Sequence, residues 1–143
     1  MAVRAAAVLV VGVALSGCAD TVQPAADWVE PARYAYVLES TCGERALIGR
    51  FRITVSDGKV IKAEGLDEPA QRTVADSPPD VIPTLGQLVE ELNTARRNGA
   101  EVAELETDTA GHPARITIDP SRNSVDDESC YAISGLLPAP AHT

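Results

Sequence analysis

The sequence predicts an α+β fold: one antiparallel sheet of about five or six strands with a single helix packed across one face, behind an N-terminal signal peptide. Three observations carry this. Two stretches, 47–64 and 101–119, each alternate apolar and polar residues on either side of a glycine-containing turn, the pattern of a hairpin. One stretch, 84–98, repeats apolar residues at helical spacing. The first 18 residues form a short apolar run that ends in a cysteine.

That leader sets the context for the rest. Arg4 is the only charge before Cys18, a minimal positive n-region, and 5–14 are apolar throughout. A run of about ten residues suits a signal core and is too short for a spanning helix of about 20. Leu15-Ser16-Gly17-Cys18 then reads as a lipobox, in which the small Ser16 and Gly17 admit the backbone to a peptidase cleft. On this reading the Cys18 thiol takes a diacylglycerol and the chain is cut before it. Two acyl chains make a stable anchor, where one is marginal. An ordinary secretory signal with an incidental cysteine, or a signal anchor, is the alternative. The expected organisation is a signal peptide over 1–17, a lipidated tether over 18–27, an α+β domain over 28–137 and a loose tail over 138–143. A nine-residue flexible tether reaches only about 15–18 Å root-mean-square, which keeps the domain close to the membrane.

The chain carries 12 Lys+Arg against 21 Asp+Glu, a formal net charge of −9, and loss of the leader removes one of the cations. That balance argues against nucleic acid and against electrostatic attachment to anionic lipid. With Cys18 given to lipid, Cys42 and Cys130 remain, and in an oxidising compartment an even pair reads as a disulfide. Two free thiols are the alternative. A zinc site is not indicated: there is no C-x-x-C, and His112 and His142 fall in a turn and in the tail.

Within the domain, Trp28 is expected to begin the fold on a short helical turn ended by Pro31. The 33–40 stretch places Tyr34, Tyr36 and Leu38 on one face of a strand, and Cys42-Gly43-Glu44 makes a turn. From 47 to 55, Leu47, Gly49, Phe51, Ile53 and Val55 point one way, and Arg50, Arg52 and Thr54 the other. A two-residue Asp57-Gly58 loop would bring Lys62 and Glu64 onto the apolar face. A three-residue loop with a G1 bulge at Gly58 instead pairs Ile53 with Ile61, Phe51 with Ala63 and Arg50 with Glu64. The second register is therefore predicted. The 65–83 stretch holds four prolines and no periodicity, and reads as a long loop with an ordered edge and a mobile middle. Thr84 with Gln87 makes a capping box, Leu85, Leu88, Val89, Leu92 and Ala95 form the buried stripe, and Gly99 closes the helix. The 101–119 hairpin turns at 110–113 and aligns Ala103 and Leu105 with Ile116 and Ile118, and 130–136 supplies a final strand. The opposite sheet face, with Arg50, Arg52, Lys62, Glu64, Glu104, Glu106 and Arg115, is expected to be solvated.

Several of these stretches also resemble a family. They are Tyr34-x-Tyr36 with Cys42-Gly43-Glu44, the run from Gly49-Arg50-Phe51-Arg52 to Val60, Gly111-His112-Pro113-x-x-Ile116-x-Ile118-Asp119, and Asp126-Asp127-Glu128-x-Cys130-Tyr131-x-Ile133. Over roughly residues 28–136 the chain resembles a domain-of-unknown-function family of small bacterial lipoproteins. The resemblance implies a small secreted or lipid-anchored domain and transfers no activity to any residue.

Chemistry is sparse. His112 has Asp108 and Asp119 near it in sequence but no Ser or Cys nucleophile, so no catalytic residue is assigned. The acidic 119–128 loop offers four carboxylates, yet its sixth position is Ser124 and its twelfth Cys130, so the calcium-loop pattern fails and no metal ligand or cofactor is assigned. Asp126 and Asp127 are instead expected to cap the turn into the last strand, with Glu128 on a nearby arginine. The reading that fits these residues is a non-enzymatic, membrane-anchored extracytoplasmic binding or protein-interaction module. It is held through Cys18 and meets an envelope protein or ligand whose identity stays open. An envelope hydrolase using carboxylates of the 119–128 loop, or a calcium-dependent module, is the alternative.

Overall fold

A computed structural model describes residues 23–43 and 47–139; Cys18, the rest of the lipobox and Glu44 lie outside the described residues. The elements are β1 (Arg33–Ser40), β2 (Gly49–Ser56), β3 (Lys59–Gly65), α1 (Glu68–Asp76), a 3-10 turn (Pro79–Val81), α2 (Leu85–Arg97), β4 (Val102–Thr107), β5 (Pro113–Asp119) and β6 (Ser129–Pro138). The six strands form one sheet in the order β3-β2-β1-β6-β5-β4, every neighbouring pair antiparallel. Two three-stranded meanders thus meet along β1 and β6. One end of the sheet, the turn end, carries the β2–β3 and β4–β5 turns. The other, the bridge end, carries the starts of β4 and β6 and the Cys42–Cys130 disulfide, whose Cα atoms are 5.3 Å apart.

Period-two alternation decides which face is buried. Tyr34, Tyr36 and Leu38 of β1, Phe51, Ile53 and Val55 of β2, Ile116 and Ile118 of β5, and Tyr131 and Ile133 of β6 share one face. Leu85, Leu88, Val89 and Leu92 of α2 close over it, each of these large side chains contributing on the order of 1.5–3 kcal/mol by its removal from water. The Thr84–Gln87 capping box is present in both directions, and Arg96 and Arg97 stand in the last turn, against the negative end of the helix dipole.

The sheet therefore has six strands, but two helices cover it instead of one. The 65–83 stretch is mostly ordered structure. Asp67 caps α1 by accepting from the Ala70 N–H at 3.0 Å, and Pro69 sits in the first turn, where its missing N–H costs nothing. Ala70 is fully buried because Gly49 and Gly65 let the helix approach the sheet: a Cβ on Gly65 would lie 2.3 Å from the Gln71 nitrogen. At the other boundary, residues 28–31 form no helical turn, and the segment from Pro24 to Glu30 runs along α2 without regular secondary structure.

The β2–β3 register differs from both sequence-based alternatives. Asp57 and Gly58, at φ 51° and 72°, make a two-residue loop that pairs Ser56 with Lys59 and Val55 with Val60. A bulge at Ile61 then absorbs one residue, so the strands continue as Thr54↔Lys62, Ile53↔Ala63, Arg52↔Glu64 and Phe51↔Gly65. The predicted pairings of Ile53 with Ile61, Phe51 with Ala63 and Arg50 with Glu64 are not formed. The bulge satisfies two demands at once: it keeps the tight turn and still delivers Lys62 and Glu64 to the solvent side. The β4–β5 register is as read, with Ala103↔Ile118 and Leu105↔Ile116.

Candidate functional site

Both helices occupy one face of the sheet, and among the described residues nothing covers the other face. Much of it is charged, and cross-strand pairs account for part of that charge. Glu39 lies opposite Arg50 and Glu64 opposite Arg52, and Arg115 Nε is 3.5 Å from Glu106 Oε2; along β3 itself, Lys62 Nζ is 3.3 Å from Glu64 Oε1. Such exposed pairs contribute a few tenths of a kcal/mol at most.

Near the turn end the character changes. A cleft of about 320 Å³ opens there, with Ala35 and Thr54 as its floor, Arg33 and Ser56 at its rim, and Ile61 and Leu137 as walls. Each wall is produced by a bulge. In β3 the extra residue is Ile61 itself, left 63% exposed. In β6 the pairing with β1 slips between Ala35 and Val37, where Gly135 adopts φ 58°. Leu136 then turns to the core while Leu137, opposite Ala35, stands 70% exposed. Bulges re-aim side chains at sheet surfaces, and here they aim two large aliphatic groups into water on either side of a groove. The lining joins these apolar walls to the hydroxyls of Thr54 and Ser56 and the guanidinium of Arg33.

Several other polar groups bind the chain itself. At the start of α2 the Leu85 N–H donates to the Tyr34 hydroxyl at 2.9 Å, the Gly86 N–H to Glu30 Oε1 at 3.3 Å and the Gln87 N–H to Thr84 Oγ1 at 3.2 Å. Tyr34 O–H in turn donates to Glu30 Oε1. The helix N-terminus is filled by the chain's own groups. Burial, and next the Glu30 hydrogen bond, hold the Tyr34 phenol well above its usual range; burial does the same for Tyr36, which donates to the Pro83 carbonyl at 2.6 Å. Both phenols stay protonated donors. At the bridge end Glu91 accepts from Ser129 Oγ at 3.4 Å and from Tyr131 O–H at 3.3 Å, beneath α2.

His112 stands at the turn end. Asp108 Oδ1 accepts from the N–H groups of Ala110 and His112, both at 2.9 Å, and those bonds, the His112 one foremost, hold its carboxyl below the usual range. The pair organises a turn. In the 119–128 loop the carboxylates that bind backbone are Asp119, which accepts from Ser121 N–H at 3.0 Å, and Glu101, which accepts from Arg122 N–H at 2.6 Å. Asp126 and Asp127, expected as the caps, accept from no backbone N–H among the described residues; Asp126 takes a left-handed backbone at φ 71°, and one buried oxygen of Asp127 has no hydrogen-bond partner among those residues. Among the described residues no three His, Cys, Asp or Glu side chains converge to hold a metal ion. No helix among them is long and apolar enough to cross a membrane.

Sequence reading placed Arg50, Arg52, Lys62, Glu64, Glu104, Glu106 and Arg115 on the solvated face but missed the cleft, since neither bulge carries a local signal beyond Gly135 itself. Cys42 and Cys130, paired in the structure, tie the β1–β2 connection to β6. Gly43, at φ 85°, packs so tightly there that a Cβ would lie 2.2 Å from the Glu128 carbonyl oxygen.

No curated protein and no solved structure matches the chain. A family model does, over residues 25–138, so the segment from Ala25 that runs along α2 falls within the family domain. The chain belongs to DUF6174, a family of unknown function.

Proposed function

We propose that the protein is an extracytoplasmic lipoprotein of a bacterial envelope, anchored through Cys18, whose domain is a binding module with no catalytic centre. The observation that carries the binding reading is the cleft on the bare sheet face, flanked by the exposed Ile61 and Leu137. Paired bulges set two large aliphatic side chains on either side of one groove, apolar area that a bound partner would remove from water. The chemistry of the lining favours a polypeptide segment: aliphatic groups to bury, with Thr54, Ser56 and Arg33 to meet backbone and a carboxylate. The Cys42–Cys130 bridge supports an oxidising compartment, and the lipobox supports the anchor.

A photo-crosslinking side chain placed at position 137 in the envelope of the native cell tests this. The expected outcome is a discrete adduct with an envelope protein that is lost when Ile61→Glu is added. Adducts that persist unchanged with Ile61→Glu, or no protein adduct at all, would remove the cleft as a binding site. Labelling with a palmitate analogue, lost in Cys18→Ser, tests the anchor separately.

A further inference from the structure

The structure holds residues 24–30 against α2 in a way that bears on how the domain is mounted. The Arg96 guanidinium donates from Nη1 to the Pro24 carbonyl at 2.7 Å and from Nε to the Ala103 carbonyl at 3.0 Å. Asn93, 8% exposed, brackets the backbone of one residue: Ala26 N–H donates to its Oδ1 at 2.8 Å, and its Nδ2 donates to the Ala26 carbonyl at 3.1 Å. Trp28 meets Tyr34 edge-on with ring centroids 6.3 Å apart, and Glu30 reaches Gly86 at the start of the helix, where a Cβ would collide with it. Two α2 side chains thus serve backbone of this strap. The strap runs antiparallel to the helix, from its C-terminal end to its N-terminal end.

We infer that the strap transfers the point of attachment from one end of the sheet to the other, so that the lipid bilayer faces the bridge end and the cleft is held away from it. The inference rests on the lipid-anchored reading of Cys18. Without the strap, the chain would leave the folded domain at Arg33, on the turn end and at the rim of the cleft. Fifteen Cα–Cα steps would then separate Cys18 from Arg33, a fully extended reach of about 50 Å. With Pro24 pinned beside Arg96 and Ala103, six steps remain, with a reach of about 20 Å. The helix along which the strap lies is itself about 20 Å long, so the exit moves across most of the domain. The short leash then confines the bridge end, with the 119–128 loop and the start of β4, to the lipid side. The turns at 57–58 and 108–112 and the cleft between Ile61 and Leu137 point to the far side, where an envelope partner can approach.

The test uses the chain from Cys18 onward, with a diacyl lipid coupled chemically to the Cys18 thiol and the protein displayed on phosphatidylcholine vesicles that contain a headgroup quencher. A fluorophore is introduced through an unnatural amino acid at position 122, on the bridge end, or at position 57, on the turn end. Quenching is expected to be several-fold stronger at 122 than at 57. In the Asn93→Ala, Arg96→Ala double variant the two positions are expected to become similar. Equal quenching in the unaltered chain, or stronger quenching at 57, overturns the inference. Hydrogen exchange of the Ala26 amide in the unaltered chain provides a check that needs no variant: exchange at the free-peptide rate also overturns it. Because the lipid is attached by chemistry, these results do not depend on processing in the cell. Loss or retention of palmitate labelling at Cys18 reports on that separately.

Discussion

Two glycines separate conformational cost from steric cost. Gly58 has φ 72° and open space where a Cβ would go, so Gly58→Ala should cost about 1 kcal/mol through backbone preference alone. Gly65 has no such φ, but a Cβ there would sit 2.3 Å from a backbone nitrogen of α1, which cannot swing aside as a side chain can. Gly65→Ala should cost clearly more, on the order of 1–3 kcal/mol or above, as overpacking does. Urea denaturation of the two variants gives the comparison, and equal midpoints would mean that α1 is not seated on the sheet. At this scale the sequence was legible where a residue's role is local. The Thr84–Gln87 box and the Tyr34, Tyr36, Leu38 alternation are examples. Asn93 was not legible, because what it binds is the backbone of Ala26, 67 residues away, and any peptide group would look the same in sequence.

Among the elements, α1 is the instructive omission. Four prolines between 65 and 83 suggested a loop, yet Pro69 marks a helix start, because a first-turn proline loses no hydrogen bond. The signal available was Asp67-Glu68-Pro69: a cap residue, then an acid at the positive end of the dipole, then proline. Asp67 does double duty, since its second oxygen accepts from the Arg50 N–H at 3.0 Å and ties the cap to β2. Asp67→Ala should therefore cost about 1–2 kcal/mol, at the upper part of the range for a lost cap, and Asp67→Asn less, since its one amide oxygen keeps the cap but not the second bond. Thermal melts of the two variants check this; a neutral Asp67→Ala would show that the cap bears no weight. The β2–β3 register was illegible for a related reason. A bulge is a compromise between a turn and a distant face, and it appears only when both are satisfied together.

For the whole molecule, the sheet, its single buried face, the long helix and the cysteine pair followed from alternation, spacing and count, whereas the cleft and the strap did not. Both of the latter depend on where separate elements meet in space. The disulfide is the clearest long-range constraint, joining residues 88 apart in sequence. By the chain-entropy model its closure contributes about 4–5 kcal/mol. Cys42→Ala with Cys130→Ala should lower the denaturation free energy by an amount of that order while leaving the far-ultraviolet dichroism nearly unchanged. A shift of only a few tenths of a kcal/mol would mean that the bridge constrains little in the unfolded chain.

The pairing of β1 with β6 at the centre of the sheet also dictates an order of assembly. Every other strand contact joins neighbours in the chain, so the hairpins can form early, but the seam between the two meanders joins the first strand to the last. Closing it carries the entropy of the largest loop in the fold, and such contacts are slow to form. A chain delivered from its N-terminus keeps the inner edge of β1 open until β6 arrives, and the partner of Cys42 arrives on that same strand. Oxidation of the pair then reports that the chain has been delivered as far as the start of its final strand, and a chain interrupted before Ser129 is left with a bare strand edge and Cys42 without its partner.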